Sequence, residues 1–320
     1  MQTRMLTTGR ELTKEESQQI FQQANEYYQN WEKEFNIENK NVIYACVTGS
    51  HAYGFATTES DIDLKGIWLA PTIDFFKLNP PTPNSKGSSY LRHSNDYDIE
   101  LYELVKFVYL AVGNNPNILD ILCAKENNVI VNSDIVSELR DNVEKLLNKN
   151  SIYHAYTGYA LQQFSRMKNL YTEFKTVKEK VTVFNNEEYE KKLTELRKQN
   201  DRNNWDAKLQ RTIEVETKIP RPEGERVLNV KNAAHLLRLL AVGEHILRTG
   251  NVMVEPSNRE LIVKVRSGKV TWEEIVEEKS RLEEKIQIAY KNSSLPEKNN
   301  KAIEWANSFL IKVRKKQLSG

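Results

Sequence analysis

The chain has 320 residues, of which 39% are hydrophobic and 28% are charged, and its formal net charge is +2. This length leaves room for two domains, and the composition is that of a folded protein with many surface helices. The near-neutral charge gives no global argument for nucleic-acid binding, although a local basic patch stays possible.

The sequence also bears on compartment and metal chemistry. No apolar run reaches transmembrane length and no signal-peptide core is present, so we expect no membrane association and a cytoplasmic location. Cys46 and Cys123 lie in apolar runs, which is typical of core thiols in a reduced compartment. The five histidines show no zinc-ligand spacing.

The first predicted elements are a helix, a strand and a tight turn. Residues 13–35 predict a core-facing helix that begins with a capping box of Thr13 and Glu16. Residues 42–47 are apolar and rich in β-formers, which predicts a buried strand. Gly49 and Ser50 end this strand. We expect Ser50 to be the N-cap of a short helix, and Gly49 to leave its backbone open to a phosphate.

Two carboxylates follow this turn. Asp61 and Asp63 open an extended run over residues 61–69, and residues two apart on a strand share a face. Paired carboxylates repel each other unless a cation lies between them, and Mg²⁺ binds carboxylate and phosphate oxygens together. Either motif alone is more often a solvated turn or strand end. Together, in the order strand, turn, helix, strand, they predict two-metal phosphoryl or nucleotidyl transfer.

The stretch GSHAYGFATTESDID resembles the signature of the DNA polymerase β-like nucleotidyltransferase superfamily. Its longer form is similar to a bacterial and phage branch of nucleotidyltransferases, some of them associated with RNA repair, and the similarity extends through most of the chain. We therefore expect an α+β fold. A small mixed sheet would form a catalytic domain over residues 1–150, and a mainly helical substrate-binding domain would span 151–320, with a charged excursion at about 172–226.

A third carboxylate is implied by the resemblance on a neighbouring strand. Residues 71–94 hold four prolines and predict a long loop that contacts a substrate or is disordered. The strand at 97–102 follows, with Asp98 and Glu100 on one face. The spacing to Glu103 and Lys106 resembles the pattern of the branch and favours Asp98, as a metal ligand that helps to activate the attacking hydroxyl. Glu100 stays the alternative.

The second half of the chain is predicted to be helical. An Asn-rich turn at 113–117 separates two apolar helices, and its side chains are expected to satisfy backbone groups. Residues 151–171 form a helix that resembles the opening of the helical domain in this branch. Residues 172–226 are strongly charged with alternating sign, which indicates a solvated helical excursion or a partly disordered insertion.

Residues 229–250 predict a packed helix that ends at Gly250. Lys231, His235 and Arg238 are spaced i, i+4 and i+7, so these cation-capable groups share one face. Charged stripes on helices are usually solvated surface. The resemblance nevertheless implies that basic residues of the helical domain contact the triphosphate, and we assign Lys231 and His235 to the nucleotide.

The predicted function is metal-dependent nucleotidyl transfer. Gly49 and Ser50 would position an NTP, and Asp61, Asp63 and Asp98 would hold two Mg²⁺ or Mn²⁺ ions. An acceptor hydroxyl would then displace pyrophosphate. The acceptor is open among an RNA end, a protein side chain and a small molecule. Two other classes compete: a non-catalytic NTP-binding sensor, and an antitoxin-like protein that acts by contact with a partner. The presence of all three carboxylates favours the enzyme.

Overall fold

The protein is described from a computed structural model. The described residues are 4–5, 10, 12–36, 41–85, 88–93, 97–171, 174–182, 212–220 and 227–319. Contacts group Met5–Met167 with Asn229–Gly320 as one compact unit, and Met1–Arg4 with Lys168–Leu228 as another. The predicted domain boundary near residue 150 coincides with no edge of these units, and that division stays a prediction.

The secondary structure of the described residues alternates between strands and helices in the first half and is mainly helical near the end. The strands are β1 (Arg4–Met5), β2 (Asn41–Thr48), β3 (Ile62–Leu69), β4 (Ser89–His93), β5 (Tyr97–Glu103), β6 (Val129–Asn132), β7 (Phe174–Thr182), β8 (Thr212–Pro220) and β9 (Val227–Leu228). The helices are α1 (Lys14–Asn36), α2 (Gly49–Ala52), α3 (Leu104–Val112), α4 (Pro116–Leu122), α5 (Asp134–Arg140), α6 (Lys149–Tyr171), α7 (Val230–Thr249), α8 (Arg259–Arg266), α9 (Trp272–Asn292) and α10 (Asn300–Ser319).

Five strands form one mixed sheet in the order β4-β5-β3-β2-β6. Strands β3 and β5 run parallel, and the other neighbours are antiparallel. In this register Asp63 lies opposite Thr48 on one side and opposite Asp98 on the other. The sheet and its surrounding helices confirm the predicted α+β fold.

Helices cover both faces of the sheet, because the strand residues are apolar on both sides. On one face, Trp31 of α1 belongs to a buried cluster with Val47 and Leu64. On the other, Phe107 of α3 and Phe309 of α10 belong to a cluster that includes residues of β2 and β3. The last helix of the chain is therefore part of the core that supports the sheet. No helix in the described ranges carries an apolar stretch long enough to cross a membrane.

Two predicted helix ends and one predicted turn are present in the structure. Thr13 and Glu16 form the predicted capping box at the start of α1. Gly250 ends α7 with φ +74°, as expected of a glycine at this position. In the turn between α3 and α4, Asn114 donates to the carbonyls of Ala111 and Leu146, which confirms that a turn asparagine satisfies backbone groups.

Three local predictions were wrong. Residues 71–94, predicted to be one long loop, include the strand β4 at Ser89–His93, which pairs with β5. Thr48, and not Ser50, occupies the N-cap position of α2, because the helix already begins at Gly49. The charged segment after α6 is not helical where it is described, since β7 and β8 pair there as antiparallel strands. The alternating β-formers of TIEVETKIP carry the period-two signal of a strand, which the high charge obscured. The remaining residues of the predicted excursion (172–173, 183–211 and 221–226) lie outside the described residues.

Candidate active site

A cleft of about 220 Å³ lies where β2 ends and β3 begins. Five of the residues assigned from the sequence line its wall: Gly49, Asp61, Asp63, Lys231 and His235. Ser50 follows Gly49 in α2, and Asp98 lies opposite Asp63 on β5. The fold thus brings to one place residues that are up to 186 positions apart in the sequence, from Gly49 to His235.

Gly49 is required by the local geometry. Its φ is +66°, and a Cβ atom built on it would lie 1.9 Å from Oδ2 of Asp63. Both the backbone conformation and the space therefore exclude a side chain. The glycine of the turn lets the Asp63 carboxylate lie directly against the backbone at the start of α2.

The three aspartates form a centre of negative charge. The pKa of Asp63 is raised, first by burial and then by the charge of Asp61, and the charge of Asp98 acts in the same direction. Lys65 and Lys231 partly oppose this effect. Among the described residues, no three His, Cys, Asp or Glu side chains are drawn together as a ready metal cluster. The aspartates therefore stand as neighbouring carboxylates that repel each other, and not as a closed metal cage.

Lys231 reaches this centre from α7. Its Nζ lies 3.7 Å from Oδ1 of Asp61, and both side chains are about half exposed. An exposed pair of this kind contributes little to stability, about 0–1 kcal/mol. Lys231 is therefore free to exchange this carboxylate for another anion.

His235 lies in the cleft wall but is not a cation. Burial, together with the charges of Arg238, Lys231 and Arg266, lowers the pKa of His235 to about 3. Its ring meets the rings of Tyr53 and Phe55 edge-on, with centroids 6.3 Å apart in each case. The neutral imidazole can donate one hydrogen bond, so the assignment of His235 to the nucleotide stays a prediction that does not depend on a positive charge.

Arg238 belongs to a closed ion pair and not to the charged stripe. It is 2% exposed, and its Nη2 lies 3.0 Å from Oδ2 of Asp120, which is 1% exposed. The hydroxyl of Tyr53 donates to the same carboxylate at 2.7 Å, and the guanidinium stacks 3.7 Å from the centre of the Tyr53 ring. Arg238 thereby fastens α7 to α4 and to the residue that follows α2.

The sequence reasoning missed Lys65, Asn117 and Tyr53, which also line the cleft. Lys65 follows Asp63 by two positions, so the strand period could have placed it on the same face. It pairs with Glu100 across the sheet at 2.6 Å. Burial alone would raise the pKa of Glu100, but the charge and hydrogen bond of Lys65 outweigh it, and the net direction is down.

Asp98 has a different environment from Glu100. Asp98 precedes Glu100 by two positions on β5 and lies opposite Asp63 of β3. Its Oδ1 is 2.9 Å from Nδ1 of His93. No lysine or arginine of the described residues forms an ion pair with it. The carboxylate of Asp98 is paired with His93 and does not line the cleft itself, whereas that of Glu100 is paired with Lys65.

The mixed sheet brings together the glycine turn and the aspartates from which the sequence predicted a nucleotidyltransferase-like protein. The chain matches the model of the RlaP family, described as an RNA repair pathway DNA polymerase beta family, over residues 20–312. This match covers most of the chain, and the protein belongs to that family. The membership predicted from the motif is confirmed.

Two further similarities are more limited. A protein of Enterobacteria phage T4, described as an uncharacterized 38.9 kDa protein in the nrdC-mobD intergenic region, is 32% identical over 123 residues. The match covers 37% of this chain and only 36% of the phage protein. A crystal structure of a nucleotidyltransferase-like protein from Exiguobacterium sibiricum 255-15 aligns with 92% of this chain and 80% of its own, at 10% identity and a TM-score of 0.28. No argument rests on so weak a structural likeness.

Proposed function

We propose that the protein transfers an NMP from an NTP to an acceptor hydroxyl and releases pyrophosphate. The observation that carries this proposal is the contact of Gly49 with Asp63, beside Asp61 and Asp98. Buried like charges are costly, and a fold that assembles them at an open backbone turn favours a cationic ligand there. Membership of a polymerase β-like family supports the reaction class.

The donor set suits Mg²⁺ or Mn²⁺, because carboxylate oxygens are the ligands that these ions prefer. Asp61, Asp63 and Asp98 are the residues that would hold them. Mg²⁺ is usually bound by one or two carboxylates together with substrate phosphates, which agrees with the lack of a closed three-residue metal cluster in the described chain. Such an ion, when bound, neutralises phosphate charge and makes the attacking hydroxyl more acidic.

The protein groups around it have complementary tasks. The backbone N–H groups at Gly49 and Ser50 would receive a phosphate, and Lys231 would supply a positive charge from the opposite wall. The neutral His235 would donate a hydrogen bond. These contacts hold the triphosphate in line for attack, and positioning is the main contribution of a protein to phosphoryl-type transfer.

Asp98 is our choice for the third carboxylate. Its Oδ2 would accept the proton of the acceptor hydroxyl, while His93 holds Oδ1. Glu100 fits this task less well because its charge is already matched by Lys65. Replacing Asp98 by Asn should abolish transfer, whereas Glu100→Gln should retain most of it.

The acceptor we favour is an RNA end, because the family is described by an RNA repair pathway. Binding of RNA should weaken steeply as salt rises, since released counterions drive such binding. A flat salt response would exclude RNA and direct attention to a protein side chain or a small molecule.

The decisive experiment follows the label from each α-labelled NTP, with Mg²⁺ or Mn²⁺, into a mixed RNA pool and then into protein. We expect transfer to RNA that disappears in the Asp61→Ala, Asp63→Ala variant. NTP binding without transfer to any acceptor would instead identify a sensor. Absence of NTP binding would identify a protein that acts by contact with a partner.

A further inference from the structure

A second cavity, of about 200 Å³, lies between the segment that precedes Asp61 and the end of α8. It shares no lining residue with the catalytic cleft. Its wall carries three basic side chains and no carboxylate among the described residues. The three basic residues are Arg10, Arg266 and Lys269.

Arg266 is the unusual member of this wall. It is only 4% exposed, yet its Nε and Nη1 have no hydrogen-bond partner. Its one hydrogen bond runs from Nη2 to Oγ of Ser60, at 3.3 Å. Burial lowers the pKa of Arg266, but a guanidinium stays charged at neutral pH. A buried charge with unmade hydrogen bonds is costly unless a ligand completes it.

Arg238 is a buried arginine of the same protein whose charge is paired, although its Nε also has no hydrogen-bond partner. Its guanidinium meets both oxygens of Asp120, at 3.2 Å and 3.0 Å, and stacks on an aromatic ring. No described carboxylate forms an ion pair with Arg266. The fold thus supplies a hydrogen-bonded counter-charge for Arg238, whereas Arg266 is acted on by the charge of Asp61 without an ion pair.

The other two basic side chains of the cavity differ in whether they are already paired with a carboxylate. Arg10 is already paired with Glu16, at 2.5 Å, so it adds little net charge. Lys269 is exposed at the cavity and forms no ion pair with any residue in the described part of the chain. The surplus positive charge of this cavity therefore lies on Arg266 and Lys269.

The charge of the wall, and not the volume of the cavity, indicates the class of ligand. The volume of about 200 Å³ has room for a phosphate group, and it is close to the 220 Å³ of the cleft at the aspartates. Arginine suits a phosphate because its planar fork donates two parallel hydrogen bonds.

We propose that this cavity binds a phosphate group, through Arg266 and Lys269, at a site separate from the catalytic cleft. The group belongs either to free phosphate or pyrophosphate, or to the phosphorylated end of a nucleic acid. Arg266 donates a hydrogen bond to the side chain of Ser60, the residue before Asp61, so an occupant would also lie close to the aspartate centre. This proposal does not require that the protein transfer nucleotides.

Isothermal titration calorimetry tests it, with EDTA present, without NTP and at constant ionic strength. The titrants are inorganic phosphate, pyrophosphate, and a short RNA with either a 5′-phosphate, a 3′-phosphate or hydroxyls at both ends. We expect saturable binding of at least one phosphate-bearing titrant. Binding of the phosphorylated but not the hydroxyl-ended RNA would identify the acceptor end as the source, and binding of the inorganic ions alone would identify free phosphate.

Three variants test whether the phosphate group binds in this cavity. Lys269→Glu should weaken binding about tenfold or more, because it reverses an exposed charge at the cavity without disturbing the core. Arg266→Gln should abolish binding and leave the protein folded, since it removes an unpaired buried charge. Lys264→Glu is the matched control for Lys269→Glu. Lys264 is exposed on α8, the helix that also carries Arg266, and it does not line the cavity. It should change the affinity less than about twofold.

Three results would overturn the proposal. One is that no phosphate-bearing titrant binds the wild-type protein. Another is that Lys264→Glu weakens binding as much as Lys269→Glu does, which would show a diffuse electrostatic effect. The third is that Lys231→Ala removes the binding while Lys269→Glu preserves it, which would locate the anion in the catalytic cleft.

Discussion

Two groups of charged residues close to each other in this protein are built in opposite ways. In the first, Arg238 and Asp120 are almost fully buried, and each finds its partner within 3.0–3.2 Å. In the second, Asp61, Asp63 and Asp98 have the same sign and are partly exposed, and burial and mutual repulsion raise the pKa of Asp63. Tyr53 contacts the first group and also lines the cleft of the second.

The difference separates charges that stabilise the fold from charges that the proposed function assigns to ligand binding. The closed ion pair satisfies its charges within the chain, so nothing from outside can compete for them. The aspartate centre carries more negative than positive charge. This imbalance lowers the stability of the unliganded fold and favours the binding of a cation or a cationic complex. The paired charges thus stabilise the scaffold, and the proposed ligand would bind at the unpaired ones.

The largest effect is expected from neutralising the aspartate centre. Asp63→Asn should reduce nucleotidyl transfer by about 10²–10⁴-fold, because a metal ligand contributes several kcal/mol to the transition state. The same variant should be more stable than the wild type at pH 7, since an Asp whose pKa is raised by folding disfavours the folded state when it is ionised. This gain should vanish below about pH 4, where the unfolded chain also holds the proton.

Label transfer and urea denaturation measure the two properties separately. Glu100→Gln is the control, because its carboxylate is paired with Lys65. It should lose at most about 1 kcal/mol of stability, as expected for a partly exposed pair. An Asp63→Asn protein that is both inactive and less stable would contradict the comparison.

The next largest effect concerns the closed ion pair. Arg238→Met should lower the free energy of unfolding by about 3–5 kcal/mol, because it leaves the buried Asp120 without its counter-charge. Adding Asp120→Asn should recover part of this loss, since the uncompensated charge is then removed. Denaturant titrations of the two single variants and the double variant measure the coupling. Purely additive losses would show that the two charges do not act as a pair.

A smaller effect is expected where the turn meets the aspartate. Gly49→Ala should lower the free energy of unfolding by about 1–3 kcal/mol, because φ is positive there and the new methyl group would collide with the Asp63 carboxylate. It should also reduce transfer by displacing that carboxylate. Gly158→Ala is the matched control, because Gly158 lies inside α6 with nothing within 4 Å of a built Cβ. This substitution should raise the free energy of unfolding by about 0.5–1 kcal/mol. Thermal unfolding with parallel transfer assays distinguishes the two.

The smallest effect, about 1 kcal/mol between pH 7.0 and 5.5, is a dependence of stability on pH. In the folded protein the pKa of His235 is about 3, whereas in the unfolded chain it is about 6.5. Between these values the unfolded state binds the extra proton, so stability should fall as the pH is lowered, by up to about 1.4 kcal/mol per pH unit from this group. The loss begins near pH 6.5 and is complete near pH 3. Chemical denaturation at pH 7.0 and 5.5 measures it, and His235→Asn should flatten the dependence; an unchanged slope would assign it to other groups.

How much of the site could be predicted depended on distance along the chain. Gly49, Asp61 and Asp63 lie within 15 residues, so a turn signal and an extended run were sufficient to place them close together. Asp98 required the register of β3 and β5, which the sequence only implied by resemblance. The strands β7 and β8 were missed because their high charge masked a period-two pattern.

The sequence by itself determined the family, the α+β class and the acidic motif, because these depend on local patterns that any fold must respect. Only the tertiary structure decided what each charge does. Arg238 and Arg266 are both buried arginines, but Asp120, 118 positions away, satisfies the first and no described carboxylate satisfies the second. Likewise His235 is neutral because of what packs around it. The state of a charge depends on its desolvation and its neighbours, and both are set by long-range packing that no local pattern contains.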